Sequence, residues 1–517
     1  MSAIITEQFR ILSAENFRSG IASTGSSYYT WVGLPNAPEL DANWNTSPPA
    51  PVDSFDDENR YWDTMIAMKK INSSDVRRVI EKYSWASGEK YDMYRHDYSR
   101  SNLAPVSKST GLYSSKYYVI NQDYRVYICL DNGFSPENPT GKPSLDEPLF
   151  TDLEPRAAGT SGDGYVWKYL YTLTPTEILR FDSTNFIPVP ENWISGDANA
   201  AVRDNATTSG QIKVVTISNR GTGYGTATTY QNVDILGDGE GAKASVTINA
   251  DGKIESVDIS NGGSGYSFGT LDLDGAGITN SPASTNAVTN IIIPPRGGHG
   301  ADIYEELGAR KVMVYTRLEN DDTNPDFITG NEFARIGIVK DPLVYASSTK
   351  LSSEKASAVH ALKVTASQLN LIEFDPDALI TQTIGIGSTA VGRVVSWDAN
   401  TGVLKYWQDN KVATSSTVGT APQFGYKLQK FTNTLEDGLT GSFNITGGTG
   451  TVAIDTSFSG ISTVLNNRTY FLGQTFDKGV ANPEVNPQSG QIIYVDNRPS
   501  ILRSSNQKED IKIVLEF

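Results

Sequence analysis

The chain has 517 residues, 38% of them hydrophobic and 10% aromatic, with a formal charge of −16. That length fits about two to four domains with real cores. The acidic balance disfavours the phosphate-neutralising patches of nucleic-acid binding and any attraction to anionic membranes.

The N-terminal stretch "MSAIITEQFRILSAENF" carries charges early and lacks an apolar signal core. No run of about eighteen apolar residues occurs anywhere. The expectation is a soluble protein made in the cytoplasm without a signal peptide. The segment "SAENFRSG" predicts a short helix over residues 13–20, with Gly20 as its stop. A proline-rich extended piece follows, "GLPNAPELDANWNTSPPAP". Then "SFDDENRYWDTMIAMKKI" reads as one long helix. Ser54 is its N-cap, Asp56, Asp57 and Glu58 fill the first turn, and Lys69 and Lys70 close it. Tyr61, Trp62, Met65, Ile66 and Met68 would form its apolar face.

Residues 117–130 predict two strands around a turn, and "GYVWKYLYTLTP" a third. Cys129 lies inside that pattern; as the single cysteine it excludes an internal disulfide and reads as a small buried hydrophobe. "TPTEILRF" carries a capping box, with Thr174 as N-cap, Pro175 at the first helical position and Glu177 two further on.

From about residue 205 the composition shifts to small polar residues and glycine, and the chain repeats itself. "TISNRGTGYGT" at 216–226 returns as "DISNGGSGYSF" at 258–268. Each copy is an alternating strand running into a glycine turn that ends at tyrosine, Tyr224 or Tyr266. Glycine supplies the left-handed turn conformations. The two tyrosines are expected to pack at the turn exits and are also candidate ligand contacts. Between the copies, "GAKASVTINADGKIESVDIS" is a hairpin signal. Further strands are predicted at "VMVYT", "ARIGIVKD", "AVGRVVSW", "TGVLKYWQD" and "SFNITGGTGTVAID". A one-sided terminal strand carries Ile511, Ile513, Leu515 and Phe517.

The motifs of common chemistries are missing. The opening repeat has Thr226 where a dinucleotide fingerprint needs its third glycine, and no helix follows. "GIGSTA" at 385–390 fits that fingerprint but runs into a strand. "LDLDGAG" has Ala283 where a calcium loop starting at Asp272 would need glutamate. His96, His299 and His360 are far apart, so no zinc site is expected. No nucleophile elbow or Cys–His pairing is visible, and no spacing brings two carboxylates together for glycosidase work. No cofactor, metal or catalytic residue is assigned.

Several long stretches do carry a resemblance: "PPAPVDSFDDENRYWDTMIAMKKI", "YRVYICLDNG", "EPRAAGTSGDGYVWKYLYTLTPTEILRFDSTNFIPVP", "PPRGGHGADIYEELGA", "GNEFARIGIVKDP" and "GQIIYVDNRPSILRSSNQKEDIKIVLEF". Together they resemble the T-even-type phage baseplate wedge subunit family, the dimeric β-sandwich subunit eight. The likeness looks closest to versions from contractile-tailed cyanophages. It covers roughly residues 5–200, 290–345 and 480–517.

The resemblance implies a mainly β protein, a multi-layer β-sandwich core with a few short helices and inserted small β domains. The division expected is a core over 1–204, 291–345 and 481–517, with a duplicated module at 205–290 and a β-rich insertion at 346–480. It further implies a non-enzymatic virion protein of the tail baseplate, assembled in the host cytoplasm. Its partners would be other wedge proteins and a second copy of itself, with no nucleic acid and no membrane. Residues 28–51 are expected to order against a neighbouring chain, with Tyr28, Tyr29, Trp31 and Trp44 as candidate contacts. The competing readings are a glycan-binding adhesin or tail-fibre-type module resting on Tyr224 and Tyr266, and a cell-wall glycosidase.

Overall fold

Strands dominate and helices are few and short, as the turn-rich, β-branched composition favours. The computed structural model describes residues 6–38, 40–195, 199–206, 208–319, 331–369, 372–385, 388–408, 430–432, 444–447, 450–504 and 507–517. The protein is mainly β, built as several sheets in two compact units. The first comprises Met1–Arg18, Arg77–Met313 and Ile513–Phe517, and the second Ser19–Val76 and Val314–Lys512.

In the first unit, the strands Tyr118–Ile120, Arg125–Asn132 and Tyr165–Thr172 form an antiparallel sheet in that order. Their aromatic side chains are buried on both faces, which explains why the segments lack a clean polar alternation. Tyr117, Tyr127, Tyr165, Trp167, Tyr171 and Trp193 are the large members of one core that also encloses the Cys129 thiol. The helix Pro175–Phe181 leaves this sheet through the expected capping box. The Glu177 amide donates to Thr174 Oγ1 at 3.3 Å, and the Thr174 amide donates to Glu177 Oε2 at 2.9 Å. Thr174→Ala is expected to cost about 1 kcal/mol in a urea titration.

The duplicated stretch folds around its own core, from Ile212 to Ile293. Thr228–Gly237, Glu240–Ile248 and Ile254–Ser264 are consecutive antiparallel strands, and Gly269–Leu271 adds to the first of them. The hairpin around Ala250–Asp251–Gly252 is present. Asn249 Oδ1 accepts from the amides of Asp251 and Lys253, and Gly252 sits at φ 69°.

The second unit carries a five-stranded antiparallel sheet in the order Lys355–Ser357, Met65–Lys70, Tyr28–Gly33, Glu332–Lys340, Gln491–Leu502. Here the long predicted helix is corrected. Ser54 caps it, accepting from the Asp57 amide at 3.1 Å, but the helix is only Phe55–Thr64. At Met65 the backbone turns extended (ψ 130°), and Met65–Lys70 becomes a strand. Met65, Ile66, Ala67 and Met68 are all buried. A helix would bury only the side chains of its apolar stripe, whereas a central strand buries both faces, so tertiary packing overrides the helical period.

The N-terminal helix is also longer than expected. It runs Glu7–Ala22 and passes through Gly20 without stopping. A seven-stranded sheet, which includes Leu379–Gly385, Ser388–Asp398, Val403–Trp407 and His360–Lys363, supports a further core in the second unit. The strands flanking "GIGSTA" pair as a hairpin, Gly385 opposite Ser388; residues 386–387 lie outside the described residues. The terminal strand Lys508–Glu516 lies at the end of a four-stranded sheet beside Lys311–Glu319. Ile511 and Ile513 are buried there and Lys512 between them is less so, but the expected alternation stops at that point, since Leu515 and Phe517 are only half-buried, like Val514.

Candidate interaction sites

The two copies of the repeat build the same turn. Asn219 Oδ1 accepts from the Gly221 amide at 2.9 Å, and Asn261 Oδ1 from the Gly263 amide at 3.0 Å. Gly221 and Gly223 have φ of 64° and 78°; Gly263 and Gly265 have 60° and 80°. Each turn then sends its tyrosine inward. Tyr224 is 7% exposed and Tyr266 4%. The Tyr224 hydroxyl accepts from the Ala287 amide at 2.8 Å. The Tyr266 hydroxyl accepts from Ala242 at 3.2 Å and donates to Ile235 O at 3.0 Å. Both phenols are therefore spent on backbone groups of the module, and neither ring is left as a platform. Tyr266→Phe is expected to cost about 1 kcal/mol and Tyr266→Ala about 3 kcal/mol or more, by thermal or urea unfolding.

Tyr28, Tyr29, Trp31 and Trp44 are likewise buried in the second unit. The first three lie on Tyr28–Gly33, a central strand between Met65–Lys70 and Glu332–Lys340. The proline-rich piece after it makes hydrogen bonds to its own unit. Trp44 Nε1 donates to Arg498 O at 2.8 Å, Asn497 Nδ2 to Pro49 O at 2.9 Å, and the Ser500 amide to Asn45 Oδ1 at 2.9 Å. Arg335 lays its guanidinium over the Trp44 ring, 4.8 Å from the centroid. The segment thus docks on Gln491–Leu502 at Asn497, Arg498 and Ser500.

The three histidines have separate structural roles. His96 Nδ1 accepts from the Ile293 amide at 3.1 Å. His299 Nδ1 lies 2.6 Å from Glu306 Oε1 in a buried pocket. His360 pairs across strands with Tyr406, and the two rings stack at 5.3 Å. Among the described residues no group of three or more His, Cys, Asp or Glu is placed to hold a metal ion. Asp272 simply closes its turn, accepting from the Gly275 amide at 2.8 Å.

Burial pushes the His360 imidazole down from 6.5 to about 4, with nearby Lys430 adding to the effect. The unfolded chain takes up this proton near its ordinary pKa while the native state does not. Stability is therefore full above pH 6.5 and is lost as pH falls towards about 4. The expected loss is about 3 kcal/mol, and His360→Phe should flatten that part of the pH profile of the thermal midpoint.

The first unit also holds a cleft of about 420 Å³ beside the N-terminal helix. Glu15 grips Arg18 through both oxygens, at 2.8 and 3.1 Å, and reaches Arg78 at 3.3 Å. Glu191 binds Arg18 at 3.1 Å and Arg77 at 3.0 Å. The Arg78 guanidinium lies 3.1 Å from the centre of the Tyr304 ring. Burial lowers the pKa of Arg78, while the Glu15 hydrogen bond raises that of Arg18. Every carboxylate in this network already faces a guanidinium, so the arrangement holds shape rather than offering an acid or base. Leu12 and Ile194 stand at its mouth, 55% and 66% exposed. Nothing in the sequence pointed to this cluster, because Arg18 and Glu191 are 173 residues apart.

No family model matches the chain. Among curated proteins it is similar to "Baseplate wedge protein gp8" of Enterobacteria phage T4, with 27% identity over 216 residues. That alignment covers 36% of this chain and 60% of the phage protein, so the chain spans well under the relative's full length. The likeness is a distant and partial one to a phage baseplate wedge protein.

Proposed function

We propose that the chain is a structural, non-enzymatic component of the baseplate wedge of a contractile-tailed bacteriophage. It would support tail assembly and the baseplate rearrangement on infection. The observation that carries this reading is the similarity to a baseplate wedge protein. The mainly β architecture is compatible with it, and so is the use of the buried His299–Glu306 pair and the Arg–Glu cluster as internal struts.

On this reading the protein resides in the virion tail, assembles in the host cytoplasm, contacts other wedge proteins and pairs with a second copy of itself. The module at 205–290, with its own core, and the region at 346–480 would be insertions into the shared framework. Immunogold labelling of intact virions that encode the chain tests the location. Label at the baseplate is the expected result, and virions free of the protein would end the proposal. Light scattering of the purified chain should give a mass about twice 56.1 kDa; a monomer would remove the dimer.

A further inference from the structure

Lys168 sits in the strand Tyr165–Thr172 with only 3% of its surface exposed. Its Nζ donates to Leu153 O at 2.7 Å and to Asn205 Oδ1 at 3.2 Å, at the end of the helix Ala200–Asn205. The other end of the same amide is engaged as well: Asn205 Nδ2 donates to Glu154 Oε1 at 3.0 Å. The reverse orientation would set donor against donor at Lys168 and acceptor against acceptor at Glu154, so the partners fix the amide as it stands. Lys213 holds the second oxygen, Glu154 Oε2, at 3.1 Å.

Three groups thus follow one another: an amine, an amide carbonyl turned towards it, and a carboxylate on the nitrogen that would leave. Burial lowers the pKa of Lys168, against the opposite pull of Glu306 and Glu154. The neutral amine, with its free electron pair, is therefore easier to reach than on a surface lysine. The Asn205 hydrogen bond holds the Glu154 carboxyl below its usual range, which makes it a base at neutral pH. Reacting atoms combine from about 3–3.5 Å. Asn205 Oδ1, at 3.2 Å from Nζ, is one bond from the carbon to be attacked. A side-chain amide is a poor acceptor in water, but one held against a buried amine has the high effective concentration of an intramolecular partner.

We propose that Lys168 and Asn205 condense to an amide cross-link within the chain. The Nζ electron pair forms a bond to Asn205 Cγ, and the carbonyl pair moves onto Oδ1. Glu154, touching Nδ2, relays to it the proton that Nζ sheds. The carbonyl then re-forms, the Cγ–Nδ2 bond breaks and ammonia leaves, with no oxidant or cofactor consumed. The product ties the segment entering the duplicated module, whose core begins at Ile212, to the three-stranded sheet of the first unit. Pull on that end of the module is then borne by a covalent bond. The inference goes beyond the structural role proposed above and stands whether or not the chain belongs to a baseplate.

The test is the mass of the purified full chain after denaturation, followed by that of its peptides. The expected species is lighter than the sequence mass by one ammonia, and a digest should show the peptide of Lys168 joined to that of Asn205. Lys168→Arg, which keeps a cation and its donors, should restore the full mass. Glu154→Gln, at a side chain 66% exposed, should slow closure at least about a hundredfold. It should be recovered mainly at full mass, with the near-ultraviolet circular dichroism of the unaltered protein. The full sequence mass for the unaltered chain, or acetylation of Lys168 in its denatured form, overturns the proposal. So does a lost ammonia without joined peptides, as cyclisation at Asn261–Gly262 would give. Undiminished closure in Glu154→Gln overturns the mechanism.

Discussion

Gly337→Ala is expected to destabilise the second unit by about 3 kcal/mol, a large penalty for one methyl group. Gly337 lies opposite Trp31 across the central strand pair, and a Cβ there would fall 2.4 Å from the indole ring. Neither side can give way easily. Trp31 is completely buried, with Gly33 against its other edge and Tyr61 beyond, at 6.4 Å between ring centres. The Gly337 strand is hydrogen-bonded on both sides, to Tyr28–Gly33 and Gln491–Leu502. Urea titration of the variant should show the loss. Combining it with Trp31→Phe should recover part of it, since the smaller ring makes room. A Gly337→Ala protein of unchanged stability would mean that the sheet is looser than its packing indicates.

Glu306→Leu should cost the first unit about 3–5 kcal/mol, because one buried carboxylate serves several groups at once. Glu306 Oε2 accepts from the Gly300 amide at 2.7 Å, and Oε1 meets His299 Nδ1 at 2.6 Å. Its charge also favours the protonated form of Lys168, whose pKa burial otherwise lowers. Lys168 itself donates to Leu153 O at 2.7 Å and Asn205 Oδ1 at 3.2 Å, fastening the connection between Arg125–Asn132 and Tyr165–Thr172 to its own strand. His299 stands edge-on to Tyr94 at 4.7 Å, so the leucine would leave a ring nitrogen and an amide unpaired in a dry site. The double variant His299→Leu/Glu306→Leu should lose less than the sum of the two single losses. Additive losses would show that the pair does not act as a unit.

The two strongest structural effects involve residues that the sequence did not single out together. Trp31 appeared as a candidate partner contact, yet its neighbour in space is a glycine some three hundred positions away. His299 and Glu306 are seven residues apart, but their burial comes from sheets written far upstream. The cleft beside the N-terminal helix is similar: Arg18 and Glu191 meet only after folding.

What the sequence determined by itself was the local chemistry. The cap at Ser54, the box at Thr174 and Glu177, the Asn249 hairpin and the two repeated Asn–Gly turns all stand as read. Each is decided within about four residues, where hydrogen-bond geometry and glycine's freedom at positive φ suffice. The long motifs pointed to phage baseplates, and a distant similarity supports that much. Only the tertiary structure decided that Met65–Lys70 is a strand, that Trp44 docks on Gln491–Leu502, and that the repeat tyrosines face inward. Those outcomes depend on which surfaces are buried on both sides, and that is set by partners distant in sequence.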